Sequence, residues 1–146
     1  MTVALAATIV IAGLALADSK TINDGNDSST GADMKTASHG HTNSGKLKHK
    51  ITTYNAYDAK HTPCLQIDAG GSIYRICQKT LTNLTSGESS TITYRHPTSK
   101  STVYIFSKGA IGSPGKYKWQ AQTFGTGCGE APCDSVPNTG FVTHTL

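Results

Sequence analysis

This 146-residue chain is poor in charged and aromatic residues: charged side chains make up 15% of it, and Phe, Trp and Tyr together 7%. No window of helical length shows an apolar period of 3.6 residues, so almost no helix is expected. The sequence also lacks a Gly-rich phosphate loop and a Gly-x-Ser-x-Gly turn. The last two absences exclude the usual nucleotide-binding and serine-hydrolase motifs. The chain length and the lack of a helical period predict a single all-β domain.

No apolar run is long enough for a membrane anchor. The longest stretch spans residues 3–17 and ends in Ala15-Leu16-Ala17, whereas a bilayer span needs about 18 apolar residues. A small-x-small ending followed by polar residues is typical of a signal-peptidase site. We therefore expect residues 1–17 to be a secretory signal peptide and the mature chain to be extracellular, with no membrane span.

The four cysteines include no Cys-x-x-Cys pair, which argues against a zinc site. Disulfides persist in oxidising compartments, so the cysteines agree with export. Four cysteines allow three pairings. The short loop from Cys128 to Cys133 favours a bridge within it, and the other bridge would then join Cys64 to Cys77.

The stretch from Cys64 to Cys77 supports that pairing because it is a predicted β-hairpin. Gly70-Gly71 lies at its centre, and two-residue loops of this composition close hairpins. Pairing outward from the turn sets Cys64 opposite Cys77 in a closely spaced pair, which suits a disulfide. The apolar side chains of the hairpin then share one face.

Residues 18–46 are predicted to be a disordered tether because they are built almost entirely from small polar residues. This segment contains His39-Gly40-His41, and His49 and His61 follow it. Such imidazoles can chelate a soft divalent metal ion. Without carboxylate or thiolate partners at fixed spacing, we expect only adventitious binding, and hence neither a metal site nor a cofactor.

The remaining residues, 47–146, are predicted to form about seven short strands separated by Gly, Pro and Ser, which favours a β-sandwich or a small barrel. The clearest alternation runs from Lys116 to Phe124, where Tyr117 and Trp119 share one face. The predicted strands are 49–57, 64–69, 72–79, 90–96, 102–107, 116–124 and 140–146. The predicted core comprises Tyr74, Ile76, Ile92, Tyr94, Tyr117 and Trp119.

Two motifs, at residues 113–119 and 84–94, combine a turn with the start of a strand. The stretch from Ser113 to Trp119 is similar to the entry to strand F of immunoglobulin-like sandwiches, whose tyrosine hydroxyl bonds to backbone as a tyrosine corner. The stretch from Leu84 to Tyr94 is similar to the Leu-x-x-Gly-Glu-Ser turn and following strand of immunoglobulin-like, cell-adhesion-related domains of bacterial surface proteins. This resemblance covers residues 64–124. It implies an immunoglobulin-like sandwich, and domains of this group mostly serve as non-catalytic modules for spacing or binding.

We therefore expect a secreted, non-catalytic module for extracellular binding, adhesion or effector-type interaction with a protein or glycan partner. The candidate binding row on the outer face of one strand is Lys116, Lys118, Gln120 and Gln122. The basic residues are spread along the chain, although the net charge is +4, so no nucleic-acid partner is expected.

An enzymatic alternative comes from the segment from Phe141 to Thr145, which is similar to the late strand of fungal guanyl-specific ribonucleases that presents a general-acid histidine. This similarity gives the alternative prediction that the chain is a small secreted ribonuclease. The acid, base and phosphate-binding groups would come from His144, His96, Arg95 and Glu88.

Overall fold

The computed structural model describes residues 17–24, 33–56, 61–136 and 140–146, and its regular structure is almost entirely strand. One sheet, here called sheet A, contains β1 (Lys20–Asn23), β2 (Met34–His41), β3 (Leu47–Thr53), β8 (Thr93–Thr98) and β9 (Ser101–Phe106). The second, sheet B, contains β4 (His61–Ala69), β5 (Ser72–Cys77), β6 (Thr80–Asn83), β7 (Ser89–Thr91), β10 (Lys116–Gly125), β11 (Asp134–Val136) and β12 (Val142–Thr145). The prediction of an all-β fold is thus confirmed, with more strands than the seven expected.

The strand order places neighbours in space that are far apart in sequence. Sheet A runs β1-β2-β3-β9-β8, and sheet B runs β11-β10-β4-β5-β6-β7 with β12 also paired to β10. A single residue, Ile92, separates β7 in sheet B from β8 in sheet A, so the chain passes directly from one sheet to the other. Within the described residues, no helix has the length and apolar character needed to cross a membrane.

The hairpin at the centre of the sequence forms in the predicted register. Cys64 lies opposite Cys77 and Ala69 opposite Ser72, and both turn glycines have a positive φ. Both predicted disulfides, Cys64–Cys77 and Cys128–Cys133, are present. The hairpin register follows from local sequence because a two-residue turn fixes which residues face each other.

The core lies between the inner faces of the two sheets. Sheet A contributes Met34, Ala37, Leu47, Ile51, Tyr104 and Phe106. Sheet B contributes Leu65, Ile67, Tyr74, Ile76, Leu81, Tyr117, Trp119 and Ala121. Of the predicted core, Tyr74, Ile76, Tyr117 and Trp119 are buried, whereas Ile92 and Tyr94 pack against its margin only partly buried.

The segment expected to be a disordered tether contains two paired strands, β1 and β2, and the domain therefore includes residues well before Leu47. Met34 and Ala37 are both fully buried although they are three residues apart, a spacing that a regular strand would place on opposite faces. A register shift between Met34 and Thr36 brings both inward. This irregularity conceals the alternation in the sequence. The predicted signal peptide, except Ala17, lies outside the described residues.

Candidate metal centre

Four of the six histidines meet between the two sheets. His39 and His41 lie two residues apart on β2 and therefore share its inner face, and His49 lies opposite His39 on β3. From sheet B, β12 contributes His144, which lies opposite Tyr117 on β10. His39, His49 and His144 are at most 4% exposed, whereas His41 is half-buried.

Asp18 joins this cluster because it is held to both sheets. Lys20 on β1 lies opposite His39, so extending the register by two residues brings Asp18 to His41. The backbone N–H of Asp18 donates to the carbonyl oxygen of Thr145 on β12, at 3.3 Å. The carboxylate is thereby placed at the seam between the sheets, with 41% of the side chain exposed.

Two side-chain atoms lie close to His144 Nε2 at this seam. The Nε2 atom of His144 lies 3.1 Å from Asp18 Oδ1 and 3.1 Å from His41 Nε2. Asp18, His39 and His144 offer ligand atoms that all lie within 4.8 Å of one another. Asp18 Oδ1 and His39 Nε2 are both inaccessible to solvent and form no aligned hydrogen bond within the described residues. A buried carboxylate oxygen without such a bond is costly, so an ion that binds Asp18 Oδ1 would stabilise the cluster.

The hydrogen bond from Trp119 determines the role of His39. The indole Nε1–H of Trp119 donates to His39 Nδ1 at 2.6 Å. The neutral His39 ring therefore carries its proton on Nε2, which lies 3.5 Å from Asp18 Oδ1. A histidine in this tautomer is poorly suited to bind a metal ion through Nε2, but it suits a neighbour that orients the carboxylate.

The Tyr117 hydroxyl connects the other two buried histidines. It lies 2.8 Å from His144 Nδ1 and 2.5 Å from His49 Nε2. When His144 donates its Nδ1 proton to Tyr117, and Tyr117 donates to His49, the lone pair of His144 Nε2 is available to a metal ion. A ring N–H held by an outer partner is the usual arrangement for a metal-binding histidine. The tyrosine-corner resemblance implied a bond to backbone, but this hydroxyl instead contacts two imidazoles.

Burial keeps these imidazoles neutral, which is the form that binds metal ions. It lowers the pKa of His144 to about 4, with His39 and His41 acting in the same direction and Asp18 opposing them. Burial also lowers the pKa of His39 and, more strongly, that of His49. The pKa of Tyr117 is raised, chiefly by burial, so its hydroxyl remains a proton donor.

The metal-free protein should lose stability as the pH falls below about 6.5. The unfolded chain binds protons on these histidines near that pH, whereas His144 in the folded protein does so only near its pKa of about 4. Between pH 7 and pH 5 we expect the free energy of unfolding to fall by about 2 kcal/mol, allowing for solvent screening near Asp18. Urea unfolding in the presence of a chelator measures this loss. A constant free energy over that range would contradict the arrangement of neutral, buried imidazoles.

The spacing of the converging atoms suits two-nitrogen, one-oxygen coordination. Ligands bonded at about 2.0–2.1 Å to one ion lie about 2.8–3.4 Å apart for angles of 90–110°. Both 3.1 Å separations at His144 Nε2 fall in that range. His144 is therefore the central candidate ligand, and His41 and Asp18 are the candidate ligands nearest to its Nε2 atom. Imidazole with carboxylate suits Cu²⁺, Zn²⁺ or Ni²⁺. The exposed part of Asp18 and the half-buried His41 provide a route for entry.

The proposed ribonuclease residues occupy separate parts of the fold. His144 lies in the cluster on β12, whereas Glu88 lies in the connection between β6 and β7. In sheet B, β12 and β6 are separated by β10, β4 and β5, a distance of about 19 Å at ordinary strand spacing. His96 and Arg95 belong to β8 of sheet A, where His96 Nδ1 contacts the Thr102 hydroxyl. These groups therefore do not surround one phosphate.

The candidate binding row on β10 is only partly accessible. Lys116 and Lys118 are exposed, Gln120 is half-buried, and Gln122 is 7% exposed. The amide of Gln122 donates to Gln120 Oε1 at 3.3 Å. A partner-binding surface on this face stays a prediction, and its exposed side chains would be mainly those of Lys116 and Lys118.

The sequence indicates only some of the residues of the candidate metal centre. The spacing of His39, His41 and His49 indicated possible chelation, but His61 lies at the start of β4, outside the cluster. Asp18 has no signal in the sequence beyond being a polar residue after the predicted cleavage site. The sequence indicates a role for His144 only in the ribonuclease alternative.

Comparison with protein-family models, with curated proteins and with solved structures finds no match for this chain. The function is therefore inferred from the geometry of the histidine cluster.

Proposed function

We propose that this chain is a secreted, non-catalytic β-sandwich module of immunoglobulin-like type whose ligand is a divalent transition-metal ion. The observation that carries the proposal is that His144 Nε2 lies 3.1 Å from His41 Nε2 and 3.1 Å from Asp18 Oδ1. One strand of sheet A (β2), one strand of sheet B (β12) and the segment before β1 contribute these residues. Two disulfides and the predicted signal peptide support an extracellular location.

The surroundings of the ligands support binding rather than incidental contact. Tyr117 holds His144 by its second ring nitrogen, and His39 lies against the Asp18 carboxylate. Such outer partners fix ligand orientation and change metal affinity by about 10–100-fold when removed. Among the common divalent ions, nitrogen-rich sites bind Cu²⁺ most tightly, so Cu²⁺ is the first ion to test.

The protein contains one tryptophan, and it lies beside the candidate site, so fluorescence can report on binding. We expect Cu²⁺ to quench Trp119 at a stoichiometry of one ion per chain, and a chelator to restore the signal. His41→Ala and His144→Ala should each weaken binding by about tenfold or more. Saturation with ion at about 100 times Kd should raise the free energy of unfolding by about 2.7 kcal/mol.

The matched control is His61→Ala, which removes a histidine outside the cluster. Its Cu²⁺ affinity should equal that of the unsubstituted protein. If His41→Ala and His144→Ala also bind Cu²⁺ with unchanged affinity, binding is adventitious and the proposed function fails.

A further inference from the structure

Asp18 has two features that bear on the metal centre separately. Its carboxylate is a candidate ligand, and its backbone nitrogen lies 3.3 Å from Thr145 O, next to His144 on β12. Asp18 is also the first residue after the predicted signal-peptidase site, and Ala17 before it is exposed. Cleavage at that site would therefore create a new chain terminus at the metal centre itself.

Cleavage would change the chemistry of the Asp18 nitrogen. In the uncut chain this atom belongs to a peptide bond, and resonance with the carbonyl group withdraws its lone pair. After cleavage it is a primary amine with a lone pair of its own. The amine and the side-chain carboxylate of one aspartate can close a six-membered ring around an ion through Cα, Cβ and Cγ. A coordinated amine keeps two N–H groups, so one can still donate to Thr145 O.

We propose that removal of residues 1–17 completes the metal centre, with the freed α-amino group of Asp18 joining its carboxylate, His41 and His144 as the fourth ligand. This inference rests on the proposed metal-binding function. The resulting set of three nitrogens and one oxygen suits the tetragonal geometry of Cu²⁺. The amine must be deprotonated to bind, so coordination releases a proton. The unprocessed chain would have only the three-ligand site.

Three forms of the protein test this inference: the chain that begins at Asp18, the same chain preceded by a single alanine, and the 146-residue chain. Cu²⁺ affinity is measured from quenching of Trp119, and electron paramagnetic resonance counts the coordinated nitrogens. We expect the chain beginning at Asp18 to bind Cu²⁺ about tenfold or more tightly than either longer form. The spectrum of the chain beginning at Asp18 should show three coordinated nitrogens, and the spectra of the two longer forms should show two. Urea unfolding of the three metal-free forms checks that the fold is unchanged.

Each outcome separates the two proposals. Equal Cu²⁺ affinity and equal nitrogen counts in all three forms would overturn the role of the α-amino group, while metal binding itself would stand. Failure of all three forms to bind Cu²⁺ would overturn the proposed function. Weaker binding by the 146-residue chain alone would attribute the effect to residues 1–16 and would also overturn this inference.

Discussion

Replacing Trp119 with alanine should cost about 3–5 kcal/mol of folding free energy, a large share of the roughly 5–15 kcal/mol that stabilises a typical domain. Trp119 is fully buried on β10, between Ile67 of β4 and Val142 of β12. Its ring lies edge-on to His39 and His49, with centroid distances of 5.3 and 5.0 Å. Truncation opens a cavity between the sheets and removes the donor to His39 Nδ1.

Urea unfolding followed by far-UV circular dichroism measures this loss, because the variant has no tryptophan fluorescence. Leu84→Ala is the control, since Leu84 is 46% exposed and its truncation should change stability by less than about 0.5 kcal/mol. If both variants unfold at the same urea concentration, Trp119 does not occupy the interior position that the structure gives it.

Replacing Tyr117 with phenylalanine should affect stability and metal binding together. The change keeps the buried ring but removes the hydroxyl that contacts His144 Nδ1 and His49 Nε2. One ring nitrogen on each of these two buried imidazoles then loses its hydrogen bond, which should cost about 2–3 kcal/mol. The ring of His144 is also no longer held, so Cu²⁺ affinity should fall by about 10–100-fold.

Tyr74→Phe is the matched control, because Tyr74 is an inward-facing tyrosine of β5 outside the histidine cluster. We expect this variant to keep its Cu²⁺ affinity. Urea unfolding and quenching of Trp119 provide the two measurements for both variants. A loss of stability in Tyr117→Phe with unchanged Cu²⁺ affinity would assign the hydroxyl a purely structural role.

Several features of the fold could be predicted because their causes are local. The Gly70-Gly71 turn fixed the register that sets Cys64 opposite Cys77, and the alternation along β10 placed Tyr117 and Trp119 inward. Both signals depend only on residues close in sequence, since a two-residue turn and a period of two are properties of single strands and hairpins.

The formation and burial of strand β2 could not be predicted from local sequence. Its bulge sets Met34 and Ala37 on one face, and polar residues surround them, so neither the period nor the composition indicated a strand. Burial of this strand depends on contact with sheet B. Met34 N–H, for example, donates to Asp134 of β11 at 2.7 Å.

The sequence by itself determined an all-β domain, its central hairpin, its two disulfides and the presence of closely spaced histidines on one segment. Only the tertiary structure decided that His41, His144 and Asp18 converge. These residues come from β2, from β12 and from the segment before β1, so no spacing along the chain encodes their proximity. Their approach results from packing sheet A against sheet B and from the hydrogen bond of Asp18 to β12, which are interactions between distant residues.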